Sequence, residues 1–147
     1  MLNKRGAGGM VEHHGEHFDS PRLQLSPGPA TPPRIYVGGK SEVALRRTAK
    51  LGSGYIGAGS APEEVKPLLE TLSRMRCEEG RDNEPFEAML GISAMPDVGL
   101  YRNLCEDGLE STVAPPFFYA LGKKQATLDE KKTYLEGYAE SVIRHFG

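Results

Sequence analysis

A glycine pair followed by a lysine and a serine is the feature of this sequence best suited to chemistry. Gly38, Gly39, Lys40 and Ser41 stand between a short β-rich run and a helical pattern. Glycines let the backbone approach an anion closely, and the N–H groups at a helix N-terminus stabilise phosphate. Lys40 and the Ser41 hydroxyl would add contacts. We therefore predict an anion site at this turn, with a plain chain reversal capped by Ser41 as the alternative.

A second glycine-rich turn, at residues 57–60, matches part of a dinucleotide-binding fingerprint. Its sequence is Gly-Ala-Gly-Ser, and Pro62 occupies the position of the last glycine in the G-x-G-x-x-G pattern. A partial match of this kind is weak evidence. We interpret the segment as a strand-to-helix turn at the mouth of a pocket, with a simple helix cap as the alternative.

A histidine-rich segment near the start of the chain raises the question of a metal site. His13, His14, Glu16 and His17 lie within a few residues of one another. Four tetrahedral ligands must converge from different directions, and no cysteine or nearby later histidine completes this set. We predict a polar hairpin here and no metal, with His13 and His17 as candidate substrate contacts.

Two arginines and two cysteines complete the set of chemically capable residues. Arg46 and Arg47 lie in a predicted helix, where a solvated face is favoured over a phosphate contact. Cys77 and Cys105 lie on or near apolar helix stripes, so we predict buried, inert thiols. They form no C-x-x-C pair. Lone cysteines without a secretory signal pattern indicate a reduced, cytoplasmic protein.

Strands and helices that alternate regularly from residue 34 onward must position these candidates. Short apolar runs predict four strands, at residues 35–37, 54–58, 86–92 and 111–114. Amphipathic patterns predict four helices, at residues 41–51, 60–80, 97–107 and from 127 onward. Two capping boxes support these helix starts, Ser60 with Glu63 and Thr127 with Glu130. Pro67 predicts a kink or a later start of its helix.

Four successive strand–helix units predict an α/β fold with a buried parallel sheet. The sheet either stands alone or forms four of the eight units of a (β/α)₈ barrel. The 147 residues are too few for a complete barrel, which needs about 200 or more. Residues 1–33 differ, because five prolines exclude a long helix. We predict that they form a hairpin turning at His14-Gly15 and a proline-rich linker segment, followed by a barrel portion at residues 34–147.

Composition excludes several classes of protein. The chain has 18 basic and 20 acidic residues and a net charge of -2, whereas nucleic-acid binding surfaces carry a basic excess. It contains no apolar run of about 18 residues, so we predict no membrane span. Residues 1–10 lack the apolar core of a secretory signal.

The twin-glycine turn and its neighbours resemble luciferase-like monooxygenases. The similarity is carried by residues 35–42 (IYVGGKSE), 44–47 (ALRR) and 51–56 (LGSGYI). Upstream, residues 12–18 resemble the hairpin inserted in this family, and the helix from Thr127 resembles its last helix. The family includes bacterial luciferase, alkanesulfonate monooxygenases and deazaflavin-dependent oxidoreductases.

This resemblance implies that the chain is the C-terminal half of a (β/α)₈ TIM barrel, comprising strands five to eight. It implies a flavin-dependent oxidoreductase or monooxygenase that uses FMN or the deazaflavin coenzyme and a small-molecule substrate. The cofactor phosphate would be held by Gly38, Gly39, Lys40 and Ser41, while the catalytic residues stay unknown. The chain departs from the family at Ser53 and Tyr55, where Asp and Trp are frequent, and this bears on the substrate subgroup.

Two other functions remain open on the sequence. Half a barrel leaves two unpaired strand edges, and such edges promote association. The chain would then be a truncated, non-catalytic half-barrel that forms a homo-oligomer or pairs with an N-terminal half-barrel. The third possibility is an unrelated small α/β binding domain, which would have a closed, self-sufficient sheet.

Overall fold

The computed structural model describes residues 9–24 and 26–146, and the chain divides into two compact units between Ile35 and Tyr36. The first unit contains an antiparallel hairpin of β1 (Val11–His14) and β2 (Asp19–Leu23). The turn predicted at His14-Gly15 is wrong, because β1 extends through His14 and the second strand begins only at Asp19. The Gly15 N–H donates to the Phe18 carbonyl at 3.1 Å, which keeps residues 15–18 in the loop.

The second unit alternates strands and helices as the sequence predicts. Its four strands form one sheet in the order β3-β4-β5-β6 with every neighbouring pair parallel, which confirms the predicted parallel topology. None of the helices in residues 9–24 and 26–146 has the length and apolar character needed to cross a membrane. The elements are β3 (Tyr36–Gly38), α1 (Glu42–Leu51), β4 (Gly54–Ser60), α2 (Pro62–Glu78), β5 (Glu87–Ile92), α3 (Val98–Glu106), β6 (Ser111–Val113), α4 (Phe117–Ala120) and α5 (Leu128–Ser141), followed by a 3₁₀ turn (Ile143–His145).

The two faces of this sheet differ in burial. Tyr55 and Leu90 are fully buried on one face, where α1, α2 and α3 contribute apolar side chains to the core. Successive residues of a strand point to opposite faces, so Ile56 and Val113 lie on the other face. There they are 44% and 45% exposed. The sheet therefore has one packed face and one open face.

The start of α2 differs from the sequence prediction. Strand β4 continues through Ser60, so Ala61 is the N-cap and the capping box predicted for Ser60 and Glu63 is wrong. Instead, the Glu64 carboxylate accepts the Ala61 N–H at 3.1 Å. The helix begins at Pro62 and continues past Pro67, which excludes the later start.

The cysteine thiols also lie elsewhere than the sequence predicts. Cys77 and Cys105 are free and exposed, so the prediction of buried thiols is wrong. Their helices turn neighbouring residues toward the core, including Met75 on α2 and Leu104 on α3. The cysteines consequently lie off the buried stripes of both helices.

The end of the chain packs less completely than its apolar pattern predicts. The capping box of Thr127 and Glu130 at the start of α5 is confirmed. The helical pattern predicts one apolar stripe, which comprises Tyr134, Leu135, Tyr138, Val142, Ile143 and Phe146. Of this stripe, Val142 is buried, whereas Leu135, Ile143 and Phe146 are 49%, 54% and 46% exposed. Ile143 and Phe146 leave the stripe because the helix ends at Ser141 and a 3₁₀ turn follows.

The two capping glutamates make the stability of this unit depend on pH. Hydrogen bonds from Lys40 and from the Ala61 N–H lower the pKa of Glu64. Hydrogen bonds from Lys123 and from the Thr127 N–H lower the pKa of Glu130. A carboxylate whose folded pKa lies below its unfolded value, about 4.3, stabilises the fold above that value. The contribution disappears as pH falls through the lowered pKa.

We therefore expect the melting temperature to fall as the pH is lowered from about 4.5 to 3. The double variant Glu64→Gln/Glu130→Gln should show a shallower fall, because glutamine does not titrate. Thermal unfolding followed by circular dichroism across this range measures both slopes. Identical slopes for the two proteins would contradict the role assigned to these carboxylates.

Candidate functional site

An open groove of about 630 Å³ lies at the carboxyl ends of β4, β5 and β6. In parallel αβ sheets and barrels this is the end at which ligands bind. The volume falls in the range of small-molecule sites. We call it the sheet-end groove, and its lining comprises residues 56–59, 91–93, 113–116, 118 and 119.

Backbone and aromatic rings form much of this groove. Gly91 lies on the open face of β5, and a Cβ added there would lie 3.6 Å from the Cα of Ala58, an ordinary contact. The fold therefore does not require glycine at position 91. Because glycine has no side chain, the floor of the groove is flat at this point. Phe118 and Tyr119 are 61% and 49% exposed at the same groove. This combination fits a flat, apolar ring system.

The predicted anion site forms a corner beside these strand ends. Gly39 has a φ of 118°, which side chains rarely adopt. The Ser41 side chain accepts the Ala44 N–H at 3.3 Å and caps α1. The alternative prediction, a chain reversal capped by Ser41, is therefore present in the structure. It is compatible with anion binding, because the Ser41 hydroxyl is the acceptor in this bond and its hydrogen is not used. The first N–H groups of any helix lack intrahelical partners.

Lys40, by contrast, is engaged within the protein. Its Nζ lies 3.1 Å from the Glu64 carboxylate and 3.4 Å from the Gly59 carbonyl. The contact with Gly59 joins the twin-glycine corner to the sheet-end groove, which Gly59 lines. The ion pair with Glu64 neutralises the lysine. Anion binding at the corner would consequently depend on backbone N–H groups and Ser41, or on breaking this exposed pair.

A buried tyrosine supports the corner from below. The Tyr55 hydroxyl donates to the Gly39 carbonyl at 3.4 Å, while the ring is fully buried in the core. Burial raises the pKa of Tyr55, and the charge of Lys40 acts in the opposite direction. Tyr55 and Ser53, the two departures from the family pattern, thus lie in the core and just before β4, outside the lining of the sheet-end groove.

The remaining sequence candidates lie elsewhere. Arg46 is exposed and pairs with Glu42 and Glu78, and Arg47 is also exposed. The interpretation of both as a solvated helix face is thereby favoured. In residues 9–24 and 26–146, His, Cys, Asp and Glu side chains form no group of three that could hold a metal ion.

Of the glycine-rich segment at residues 57–60, the first three residues line the groove and Ser60 does not. Ser60 is buried, and its Oγ has no hydrogen-bond partner among the described residues. Residues 57–60 belong to β4, so the interpretation of this segment as a strand-to-helix turn and the alternative of a helix cap are both wrong.

A polar cluster lies on the open face at the other end of the strands. Tyr36 and Ser111 both donate to the Glu87 carboxylate, Ser111 at 2.5 Å. The three residues belong to β3, β6 and β5 and lie near their amino ends, the end associated with stability in barrels. We assign them to holding the strands in register.

Sequence reasoning missed the residues that shape the sheet-end groove. Gly91 lies within an apolar run that predicts only a strand. Phe118 and Tyr119 follow Pro115-Pro116, directly after the last strand. The sequence does contain a signal for these two residues, because large aromatic residues that follow the end of a strand lie where parallel sheets bind ligands.

The fold is that of a parallel αβ protein of partial-barrel type, with an open groove at the strand ends. The model of the luciferase-like monooxygenase family matches residues 2–98, and the chain belongs to this family. This confirms the resemblance seen in the sequence. Uncharacterized proteins of Mycobacterium tuberculosis and Mycobacterium bovis are 32% identical over 137 residues, which cover 92% of this chain and 47% of theirs.

A solved structure extends the fold comparison. It is the coenzyme F420 dependent tetrahydromethanopterin reductase from Methanopyrus kandleri, with a TM-score of 0.72 and 12% identity. The match covers 99% of this chain and 60% of the reductase. The half-barrel fold predicted from the sequence is confirmed. The chain spans about half the length of the mycobacterial relatives it matches.

Proposed function

We propose that this chain binds a flavin-type cofactor, FMN or a deazaflavin such as coenzyme F420, as part of an oxidoreductase. The observation that carries the proposal is the flat-floored, apolar sheet-end groove with two exposed aromatic rings at the carboxyl ends of the strands. Membership of the luciferase-like family supports the same class of cofactor. When bound, such a cofactor supplies hydride transfer or oxygen chemistry.

The chain's own residues would bind and orient this group. Phe118 and Tyr119 would stack on the planar ring, and the backbone around Gly91 would form the surface beneath it. The phosphate would lie at the corner of Gly38, Gly39, Lys40 and Ser41, which Lys40 joins to the groove through Gly59. Free helix N–H groups and the Ser41 hydroxyl would donate to the phosphate oxygens.

Fluorescence titration with FMN, riboflavin and coenzyme F420 tests the proposal. Wild-type protein should bind at least one of the three, and FMN should bind more tightly than riboflavin because only FMN carries a phosphate. Ser41→Ala should reduce this FMN preference by about fivefold, the value of one hydrogen bond. Riboflavin affinity should stay unchanged in that variant.

Asp97→Ala is the matched control. Asp97 caps α3 as Ser41 caps α1, accepting the Leu100 N–H at 2.9 Å, and it does not line the groove. Each substitution removes a helix cap and should cost about 1 kcal/mol of stability. A loss of FMN preference in Asp97→Ala as large as in Ser41→Ala would contradict a phosphate site at the corner. Absence of binding for all three ligands at about 1 mM would overturn the cofactor proposal.

A second candidate function is supported by the open face of the sheet. Edge strands β3 and β6 each have three residues, and the apolar residues Ile56 and Val113 are exposed on the open face. We infer that the half-barrel pairs with a second copy or with an N-terminal half-barrel, which would cover this face. The pairing is independent of whether the chain retains catalysis.

Sedimentation of the chain alone, and mixed with the N-terminal half of a mycobacterial relative, tests the pairing. Association should appear in one of the two experiments as concentration rises. A monomer throughout the concentration range, in both experiments, would contradict it. Because each half contributes strands to one barrel, the associated form should also bind riboflavin more tightly, since closure excludes water from the groove.

We further propose a cytoplasmic location, consistent with two free thiols.

A further inference from the structure

A cavity of about 330 Å³ lies at the amino ends of β5 and β6, the end opposite to the sheet-end groove. Its volume falls in the range of small-molecule sites. Apolar side chains form part of its wall, namely Leu69, Leu72 and Phe86. We call it the arginine cavity, because Arg76 of α2 also lines it. None of the residues assigned to the proposed flavin site lines this cavity.

Arg76 is a buried cation with one half of its guanidinium group unused. The side chain is 3% exposed. Its Nη2 donates to the Arg81 carbonyl at 2.6 Å and to the Glu84 carbonyl at 2.8 Å. Its Nη1 is buried and has no hydrogen-bond partner in residues 9–24 and 26–146. A buried donor without a partner costs about 1–3 kcal/mol, and more when it is charged, so an acceptor bound in the cavity would be stabilised there.

Acidic side chains surround the mouth of the same cavity. Asp82, Glu84 and Glu110 line it, and all three are exposed. Glu84 is paired, because its carboxylate lies 2.7 Å from the Arg81 guanidinium. Asp82 and Glu110 therefore supply the negative charge at the mouth, while the positive charge of Arg76 lies buried in the wall.

This arrangement of charges selects a ligand that carries both signs. A simple carboxylate would pair with Arg76 but would be repelled by Asp82 and Glu110. A simple amine would be attracted by the two carboxylates and would leave Arg76 Nη1 without an acceptor. A molecule with a carboxylate and an ammonium group satisfies both requirements, and an apolar substituent on it would bury surface against the apolar wall.

We propose that the arginine cavity binds a small zwitterion of the α-amino acid class with an apolar side chain. Its carboxylate accepts a charge-assisted hydrogen bond from Arg76 Nη1. Its ammonium group lies toward Asp82 and Glu110, and its side chain packs against Leu72 and Phe86. The site lies at the opposite end of the strands from the proposed flavin site and does not depend on it.

Titration with L-leucine, followed by amide chemical shifts, tests the site. We expect shifts at residues 82–86 and 108–110. Isocaproate has the same apolar chain without the ammonium group, and isoamylamine has it without the carboxylate. Each should bind about tenfold more weakly than L-leucine, because each leaves one set of charges at the cavity unpaired.

Variants of the lining separate the two sets of charges. Arg76→Gln should weaken L-leucine binding by about tenfold. Because Arg76 also holds the loop at residues 81–84, the exposed mouth is tested separately. Asp82→Asn and Glu110→Gln should each weaken binding by about two- to fivefold, and less so at high salt.

Matched controls lie on the same two elements of the chain. Arg74→Gln removes an exposed arginine of α2 that pairs with Glu78 at 2.6 Å, and Glu106→Gln removes an exposed acid of α3. Neither residue lines the cavity, so both variants should retain wild-type affinity for L-leucine.

Several results would overturn the proposal. These are absence of L-leucine binding at about 10 mM, equal affinity for the three probes, wild-type affinity in Asp82→Asn/Glu110→Gln, or equal losses in the control variants. Shifts confined to residues 57–59 and 91–93 would place L-leucine in the sheet-end groove and would also overturn it. Riboflavin binding is measured independently, so either site can fail while the other stands.

Discussion

Replacing Gly91 by phenylalanine is expected to weaken riboflavin and FMN binding by about 100-fold while leaving the protein folded. A side chain at this position would point to the open face and extend over the backbone of residues 57–59, where the planar ring is proposed to lie. If the phenylalanine excludes a ring of the ligand from the groove, binding loses the burial of that aromatic group. This burial contributes about 3 kcal/mol, which corresponds to about 100-fold in affinity.

The protein should tolerate this substitution because no atom of residues 9–24 and 26–146 lies closer than ordinary contact distance to an added Cβ. The nearest atoms to an added Cβ, the Ala58 Cα at 3.6 Å and the Gly57 oxygen at 3.8 Å, are at ordinary van der Waals distance. Glycine is also unfavourable within a strand, and phenylalanine is favourable there. We expect a free energy of unfolding within about 1 kcal/mol of wild type by urea titration.

A size series at the same position provides the control. Gly91→Ala adds one methyl group at contact distance and should bind riboflavin nearly as wild type does, and Gly91→Val should fall between alanine and phenylalanine. Equal affinity across the series would show that the ligand lies elsewhere. Unfolding of Gly91→Ala would show instead that the glycine is structural.

The sequence predicts the strands and helices of the second unit because local signals and tertiary structure agree there. Each strand is a short apolar run ended by Gly, Ser or Pro, and three helices begin at the caps Ser41, Asp97 and Thr127 that the pattern indicates. Parallel order follows because each strand is followed by a helix that returns the chain to the same end. The twin-glycine turn is located by the same reasoning, although its role as an anion site remains a prediction.

Features that depend on contacts between residues distant in the sequence cannot be predicted from local sequence patterns. Ser60 fits a helix cap locally, but pairing with β5 keeps it in the strand, and Ser93 donates its N–H to the Ser60 carbonyl at 2.8 Å. The pairing of Lys40 with Glu64 joins residues 24 positions apart. Cys105 is exposed although Leu104, its neighbour on α3, is buried, and residue type alone does not distinguish the two positions.

Exposed apolar residues on the open face connect the two proposed functions. Ile56 and Val113 line the sheet-end groove and also lie where a second half-barrel would pack. A covering half would therefore enclose the groove rather than compete for it, and removal of water would strengthen each polar contact within. Ligand binding and association should consequently reinforce one another.

Replacing Tyr55 by alanine is expected to destabilise the second unit by about 3–5 kcal/mol, the range measured for deleting a buried aromatic ring. The ring is fully buried. It also fills the space that Gly57 leaves, since a Cβ on Gly57 would lie 2.9 Å from the Tyr55 ring. A domain of this size has about 5–15 kcal/mol of stability in total, so urea denaturation should show a much lower midpoint or a partly unfolded protein.

Tyr55→Phe separates packing from the hydrogen bond. It keeps the ring and removes only the donation to the Gly39 carbonyl, a long bond at 3.4 Å, so the loss should be about 1 kcal/mol or less. Because Gly39 belongs to the predicted phosphate corner, this variant should also reduce the preference for FMN over riboflavin while riboflavin affinity is retained. A stability loss in Tyr55→Phe as large as in Tyr55→Ala would mean that the hydroxyl, rather than the ring, anchors β4 to the corner.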